Sequence, residues 1–463
     1  MLFNSFTYAI FLALVVCTYW LLPSKWRNYF LLLSSYIFYG AWKLEGLLLL
    51  LGFSIGNWLL ATLINFYQGR KRKVFLIVGV IVNLTLLIFF KYYNFIFDNF
   101  KVFTNNNSLD SAVSPLALPL GISFFVFEAI SFLIDAYKTG ATIPGIYCFA
   151  LYISFFPHLI AGPIVRVQQF TPQLDSRKIF RWETFFTGID ILCIGAFKKV
   201  VLADNLASLV DASFKTNHTS AWDIWITGSL FSLQIYLDFA GYTDMARGAA
   251  KLLDYDLPIN FDFPYVSRSI SEFWRRWHIT LSNWFRDYLY IPIGGSRTGE
   301  NRTYINLLIT MTLCGLWHGA GWTYVLWGLY NGGALIVHRV FTSSLMAKWL
   351  FKETFWGHFS AWMLTYLTLV IGWIIFRAHD VVQLRAWIQT LITPTAYIQS
   401  SHYLLWSLVI VTALLMSKLL FNFYHSSYQF SELVKLRPML YVIILFLLTV
   451  FAPQSQQFIY FQF

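Results

Sequence analysis

Residues 303–337, TYINLLITMTLCGLWHGAGWTYVLWGLYNGGALIV, contain no Asp, Glu, Lys or Arg. A helix needs about 20 apolar residues to cross the hydrocarbon core of a membrane, so this run predicts two short helices. They would meet near His318, which lies in the middle of the run. Gly319 and Gly321 beside it lack a Cβ, so another group can approach the backbone closely. The run therefore predicts membrane helices around a buried histidine.

The composition of the whole chain supports a membrane protein. Of its 463 residues, 58% are hydrophobic and 12% are charged, whereas soluble domains carry about 25% charged residues. So few charges cannot cover a water-facing surface, and lipid must replace water over much of the exterior. The net charge of +11 is explained by basic loops and anionic headgroups, and no nucleic-acid-binding motif accompanies it.

Similar apolar runs recur along the chain. They cover 5–22, 28–42, 46–69, 74–90, 111–134, 139–165, 184–203, 224–246, 303–337, 354–376, 386–417 and 438–463. They predict an all-α polytopic membrane protein with roughly eleven transmembrane helices plus re-entrant segments. We expect one membrane-embedded domain over 1–463, with N-terminal helices in 1–120, a catalytic core in 121–340 and C-terminal helices in 341–463. The first run is expected to be a span, because it is too long for a signal peptide and lacks a basic flank.

Two segments depart from simple spans. Residues 139–165 contain Pro144, Pro157 and Pro163, which interrupt helices, and basic residues flank both ends; a re-entrant hairpin is expected there. Residues 252–302 are too charged to span, and on one helix their large side chains would share an apolar face. This segment is predicted to cap the spans at the cytoplasmic surface. The side chains of that face are Phe273, Trp274, Trp277, Leu281, Trp284 and Phe285.

Basic loops predict the orientation of the chain. Arg70 to Lys73 separate the third and fourth runs, and Lys25 and Arg27 separate the first and second. Because basic loops are retained in the cytoplasm, the N-terminus is expected to be extracytoplasmic.

Ionisable side chains within apolar runs are the candidates for chemistry. His318 ranks first, since histidine exchanges protons near neutral pH; the alternative is a hydrogen-bonded packing residue. His278 follows two arginines that attract phosphates; the alternative is an interfacial histidine. Five acids lie in or beside spans, with structural pairing, for example to Lys198 or Lys199, favoured over proton relay. These acids are Glu128, Asp135, Asp190, Asp238 and Asp244.

Other patterns carry less weight. His218 and Asp223 form an H-x4-D pattern that arises easily by chance, and GxSxG, Walker-A, HExxH and GxGxxG motifs are missing. The four cysteines form no C-x-x-C pair and predict no metal site.

Several ordered motifs resemble the membrane-bound O-acyltransferase family, in its AlgI-like polysaccharide O-acetylation branch. They are FWRRWHITLSNWFRDYLYIPIGGSR at 273–297, LCGLWHGAGWTYVLWGLYNG at 313–332, GISFFVFEAISFLIDAY at 121–137, FFPHLIAGPI at 155–164 and LDFAGYTDMARG at 237–248. The resemblance implies a ring of helices around a central funnel or tunnel. It also implies catalytic roles for His318 and His278. Donor binding is expected at Arg275, Arg276 and Trp277, and tunnel lining at Trp317, Gly319 and Asn283, with no metal.

The resemblance also implies the reaction. An acyl group, acetyl in this branch, would pass from a cytoplasmic thioester, acetyl-CoA, across a bacterial inner membrane to O-acetylate alginate, peptidoglycan or cellulose. An extracytoplasmic SGNH-type acetyltransferase would be the partner, and no cofactor would stay bound. Teichoic acid D-alanylation remains an alternative, although IPIGG at 291–295 is similar to the acetyl branch. A transporter using buried acids and a scaffold that needs neither histidine are further alternatives.

Overall fold

The computed structural model describes residues 1, 3–104, 118–140, 142–215, 220–342, 344, 354–392 and 430–451. Within these ranges the regular structure is helical and contains no strand, as predicted. The chain divides into two compact units, Met1–Gly195 with Tyr242–Pro258, and Ala196–Gly241 with Ile259–Phe463. The prediction of one domain with three parts stays a prediction.

Within the described residues, eighteen α-helices follow one another in chain order. The first nine are α1 (Phe6–Leu21), α2 (Ser24–Gly40), α3 (Leu44–Phe66), α4 (Gly69–Leu87), α5 (Tyr93–Thr104), α6 (Ile122–Thr139), α7 (Ile146–Ser154), α8 (Val167–Asp175) and α9 (Trp182–Ala196). The next nine are α10 (Asp204–Lys215), α11 (Ala221–Leu252), α12 (Ile270–Arg276), α13 (Ile279–Phe285), α14 (Glu300–His318), α15 (Trp322–Thr342), α16 (Phe355–Arg377), α17 (Val381–Ile392) and α18 (Phe430–Phe451). Widened π-helical turns occupy Ile88–Tyr92, Phe197–Ala203 and Arg286–Tyr290.

Among the described residues, three helical stretches are long and apolar enough to cross a membrane. They are Leu44–Phe66, Gly69–Thr104 and Phe355–Arg377, and at 1.5 Å per residue each exceeds the roughly 30 Å hydrocarbon core. The predicted membrane helices are therefore confirmed. The count of roughly eleven stays a prediction, and the expected runs at 386–417 and 438–463 extend beyond the described residues.

The chain around 139–165 is interrupted, as its prolines predict. Helix α7 has nine residues and is about 13 Å long at the standard helical rise, too short to cross a membrane. Irregular, buried backbone follows it. Glycines make this packing possible, because a Cβ on Gly162 would lie 2.3 Å from the Cα of His158, and one on Gly121 would lie 2.3 Å from the carbonyl oxygen of Leu159. The re-entrant path itself stays a prediction.

The prediction of a single helix with one apolar face over 273–285 is wrong. The chain forms two helices, α12 and α13, which are separated at Trp277 and His278. His278 has φ 41° and ψ 53°, a left-handed conformation that ends a right-handed helix. The large side chains expected on that face are nevertheless mostly inside: Trp274 is half-buried, and Phe273, Trp277, Leu281, Trp284 and Phe285 are buried.

Candidate active site

The α14–α15 hairpin places His318 at a backbone-to-backbone helix contact. A Cβ on Gly315 would lie 2.1 Å from the carbonyl oxygen of Tyr324, and one on Gly328 would lie 2.4 Å from that of Met311. Such distances leave no room for a side chain. Helix α14 ends at His318 and α15 begins at Trp322, so the prediction of two helices meeting near this histidine is confirmed.

His318 is buried in an aromatic pocket. Its ring centroid lies 5.1 Å from that of Trp317, 5.2 Å from that of Trp327 and 5.5 Å from that of Phe376. The Sγ atom of Cys314, one helical turn earlier, is 4.0 Å from Nε2. These surroundings keep bulk water from the imidazole, and a low dielectric strengthens electrostatic interactions at the ring.

His278 lies beside His318. Their ring centroids are 6.4 Å apart, and the ring of Trp317 is 5.9 Å from that of His278. The ring centroid of Phe239, on α11, lies 4.7 Å from that of His278, and the two rings are perpendicular. The structure thus brings together the two histidines that the sequence singled out in separate motifs.

Asn260 determines which nitrogen of His278 carries the proton. Asn260 Oδ1 accepts hydrogen bonds from the backbone N–H of Thr280 (3.3 Å) and from its hydroxyl (3.0 Å), which identifies this atom as the amide oxygen. His278 Nδ1 is 3.1 Å from the same oxygen and must therefore donate to it. The other nitrogen, Nε2, is buried and has no hydrogen-bond partner among the described residues, so it presents a lone pair.

Burial lowers the pKa of His278 from 6.5 to about 3. The imidazole is therefore neutral at physiological pH, since desolvation disfavours its charged form. Its left-handed backbone is uncommon for a residue other than glycine, and such strain concentrates at functional sites. The backbone N–H of Ile279 holds this turn by donating to the carbonyl oxygen of Asn260 (2.9 Å).

Asn260 was not among the residues singled out from the sequence. It lies in an irregular segment before α12, at no spacing that a helical or strand period would link to His278. Its pairing depends on tertiary structure, and sequence periodicity carries no signal for it.

The two predicted donor-binding arginines differ in their surroundings. Arg275 is exposed and forms no ion pair with a described residue. Arg276 forms ion pairs with Asp262 (2.7 Å) and Glu272 (3.0 Å), which hold its guanidinium in place. Of the two, Arg275 is the more available to a phosphate.

The remaining predicted site residues have distinct positions. Trp277 is buried, with its ring 4.8 Å from Trp373 and 5.4 Å from Phe273, so its contacts are those of core packing. A Cβ on Gly319 would lie 2.1 Å from the Tyr324 ring. Asn283 is half-buried on α13.

A buried ion cluster lies next to this site. Lys199 Nζ donates to Asp204 Oδ1 over 2.7 Å and also pairs with Asp238, and all three side chains are at most 4% exposed. Lys199 belongs to the π-helical turn Phe197–Ala203, where i, i+5 residues approach each other. Asp238 immediately precedes Phe239, the residue in contact with His278. The predicted pairing of Asp238 with Lys199 is confirmed.

Buried Glu128 and half-buried Asp244 also have partners. Glu128 pairs with His158 (3.2 Å) and accepts a hydrogen bond from the Val165 backbone, and Asp244 pairs with Arg247 (3.1 Å). These contacts favour a structural role.

The rest of the predicted polar sites carry less information. Asp135 accepts a hydrogen bond from Gln168 over 2.9 Å, and Asp190 is half-buried. His218 lies outside the described residues, while Asp223 is buried. Within the described ranges, no three His, Cys, Asp or Glu side chains cluster as metal ligands.

Known proteins similar to this chain share its motifs. The model of the membrane-bound O-acyltransferase family matches residues 34–377. The probable alginate O-acetylase AlgI of Pseudomonas aeruginosa is 39% identical over 386 residues, covering 82% of this chain and 72% of that protein. The peptidoglycan O-acetyltransferase of Helicobacter pylori is 38% identical over 389 residues, covering 78% and 72%. The teichoic acid D-alanyltransferase of Bacillus subtilis is 29% identical over 277 residues, covering 56% and 68%. The family match spans both histidines, confirms the resemblance found in the motifs, and shows that this chain belongs to the membrane-bound O-acyltransferase family.

Proposed function

We propose that this acyltransferase moves an acetyl group from a cytoplasmic thioester to a hydroxyl acceptor, for the O-acetylation of an exported polysaccharide. The relatives named above as alginate and peptidoglycan O-acetylating proteins support this substrate class at 38–39% identity. The observation that carries the proposal is the pair of buried histidines whose rings lie 6.4 Å apart.

His318 is the general base in this proposal. It removes the proton from the acceptor hydroxyl as the oxygen attacks the thioester carbonyl carbon. The new C–O bond forms, the C–S bond breaks, and the thiolate leaves with the proton that His318 carried. A positioned base of this kind contributes roughly 10²–10⁴ in rate.

His278 has a different role, because a group with a pKa near 3 is a weak base at neutral pH. Its Nδ1–H is held by Asn260, so Nε2 can only accept a hydrogen bond. We propose that this Nε2 atom accepts a hydrogen bond near His318 and so orients the group that gives it. That group is either the hydroxyl that becomes acylated or an imidazole N–H.

The substrates approach from opposite sides of the membrane in this proposal. The donor is acetyl-CoA, and the exposed Arg275 contacts its phosphates. The acceptor belongs to an extracytoplasmic SGNH-type acetyltransferase, which esterifies the polymer. This arrangement places the protein in a bacterial inner membrane, and it keeps the thioester inside while the polymer stays outside. The basic loops give the N-terminus an extracytoplasmic position in this proposal.

The test is the amount of base-labile acetyl on the exported polymer in cells that carry His318→Ala. The matched control is His379→Ala, because the side chain of His379 is 89% exposed. We expect acetyl to disappear with His318→Ala and to persist with His379→Ala at equal membrane levels. Persistence of acetyl in both would refute the proposal and favour a scaffold or a transporter.

A further inference from the structure

The turn between α3 and α4 joins two helices that can each cross a membrane. Only Tyr67 and Gln68 connect Phe66, the last residue of α3, to Gly69, the first of α4. The two helices pack against each other, with Asn83 Nδ2 donating to Asn57 Oδ1 over 2.7 Å between buried side chains. This helical hairpin therefore places its turn at a membrane surface.

Four consecutive cations follow the turn. Arg70, Lys71 and Lys73 are exposed, and none of them forms an ion pair with a described residue. Arg72 is half-buried: it donates to the carbonyl oxygen of Ala136 over 3.0 Å and stacks on Tyr137 at 5.2 Å. The Arg72 guanidinium is thus fixed, while the other three side chains remain available.

The position of these cations is electrostatically unfavourable by itself. The first turn of α4 contains no acidic residue, and its N-cap, Gln68, makes no side-chain capping bond. A helix N-terminus carries about half a positive charge, so the four cations repel the helix end as well as one another. A bound anion would relieve both repulsions.

Aromatic side chains surround the same turn. Phe66 is exposed, Tyr67 stacks on Phe75 at 5.3 Å, and Lys71 Nζ lies 5.4 Å from the centre of the Tyr67 ring. Aromatic rings of this kind lie at the headgroup level of a bilayer. The anion available at this surface is therefore the headgroup of a lipid.

We propose that the α3–α4 turn binds the headgroup of an anionic phospholipid, with Arg70, Lys71 and Lys73 on its phosphate oxygens. Clusters of basic residues next to a membrane helix recognise anionic headgroups in this way. Each cation near the surface is worth roughly fivefold in affinity, so removal of the three should weaken binding on the order of 100-fold.

The test uses the full-length protein in detergent and native mass spectrometry with phosphatidylglycerol or phosphatidylcholine added. The variant is Arg70→Gln/Lys71→Gln/Lys73→Gln. The control, Lys25→Gln/Lys43→Gln/Lys215→Gln, removes three exposed but dispersed cations. Both must first match the wild-type melting temperature in detergent alone; if the Arg70/Lys71/Lys73 variant does not, the three single substitutions replace it.

We expect the wild type to retain phosphatidylglycerol in preference to phosphatidylcholine, the turn variant to lose most of that preference, and the control to stay within about threefold. Equal losses in the two variants would show a general charge effect and overturn the proposal. So would equal retention of the two lipids by the wild type, or displacement of phosphatidylglycerol by an equimolar amount of inorganic phosphate.

Discussion

Asn260 accepts a hydrogen bond from Nδ1 of His278 over 3.1 Å, and this contact leaves Nε2 as an acceptor on a ring whose centroid lies 6.4 Å from that of His318. The same amide oxygen accepts two bonds from Thr280. One side chain thus fixes both the tautomer of His278 and the turn between α12 and α13.

Asn260→Ala should therefore damage both stability and transfer. It leaves three buried donors without their acceptor, and an unsatisfied buried donor costs about 1–3 kcal/mol. We expect a lower unfolding midpoint and at least a tenfold loss of acetyl transfer. Asn260→Asp keeps the acceptor and should retain more stability than Asn260→Ala in a thermal melt. Equal melts for the wild type and Asn260→Ala would contradict the assignment.

The stability of the protein should depend on His278 in mildly acidic solution. The folded-state pKa is about 3 and the unfolded value is about 6.5, so the unfolded chain binds the extra proton between these values. Stability must therefore fall as pH falls below 6.5, by about 2 kcal/mol at pH 5. His278→Gln removes this contribution, and its unfolding midpoint should vary less between pH 7 and pH 5. Parallel curves for the wild type and His278→Gln would contradict the prediction.

The α14–α15 contact should not tolerate a methyl group. Gly328→Ala would place Cβ 2.4 Å from the Met311 carbonyl oxygen, and overpacking typically costs about 1–3 kcal/mol or more. Gly333→Ala, on the same helix, is the control, because its Cβ would meet nothing within 4 Å. We expect Gly328→Ala to lower the melting temperature and the transfer rate. Gly333→Ala should leave the transfer rate unchanged and should leave the melting temperature unchanged or raise it. Similar behaviour of the two variants would argue against close packing.

Lys199→Met should be strongly destabilising. It leaves Asp204 and Asp238 buried without their cation, and breaking a buried pair costs about 3–5 kcal/mol. Replacing both acids as well, in Lys199→Met/Asp204→Asn/Asp238→Asn, should recover much of that loss when unfolding is measured. If the cluster is structural, this uncharged variant also transfers acetyl. Recovered folding without transfer would instead support a proton relay, as a transporter requires.

The features that the sequence predicted and those that it did not predict differ for physical reasons. The uncharged run 303–337 predicted the helix pair at His318, because lipid excludes charge from a span and the run is long enough for two short helices. The break at His278 was missed, since apolar residues continue at i, i+3 and i+4 spacing across it. Its left-handed backbone is held by Asn260, a contact that only the folded chain creates.

The sequence predicted that buried acids would be paired, but it predicted the identity of only some of the partners. Burial of a carboxylate requires a partner, and Lys199 was named for that role beside Asp238. His158 was not named as the partner of Glu128, because the two residues come together through the irregular backbone after α7. The π-helical turn at Lys199 also cannot be recognised from the spacing of apolar residues in the sequence.

Acetyl transfer by the purified protein in liposomes, from a labelled acetyl thioester to a hydroxyl acceptor, tests the role of His318 most directly. Wild type, His318→Ala and His379→Ala would be compared after their melting temperatures are matched. If His318 is the general base, we expect His318→Ala to lose roughly 10²–10⁴ in rate and His379→Ala to keep the wild-type rate. A His318→Ala rate within a few-fold of wild type would contradict the assignment of His318 as the general base.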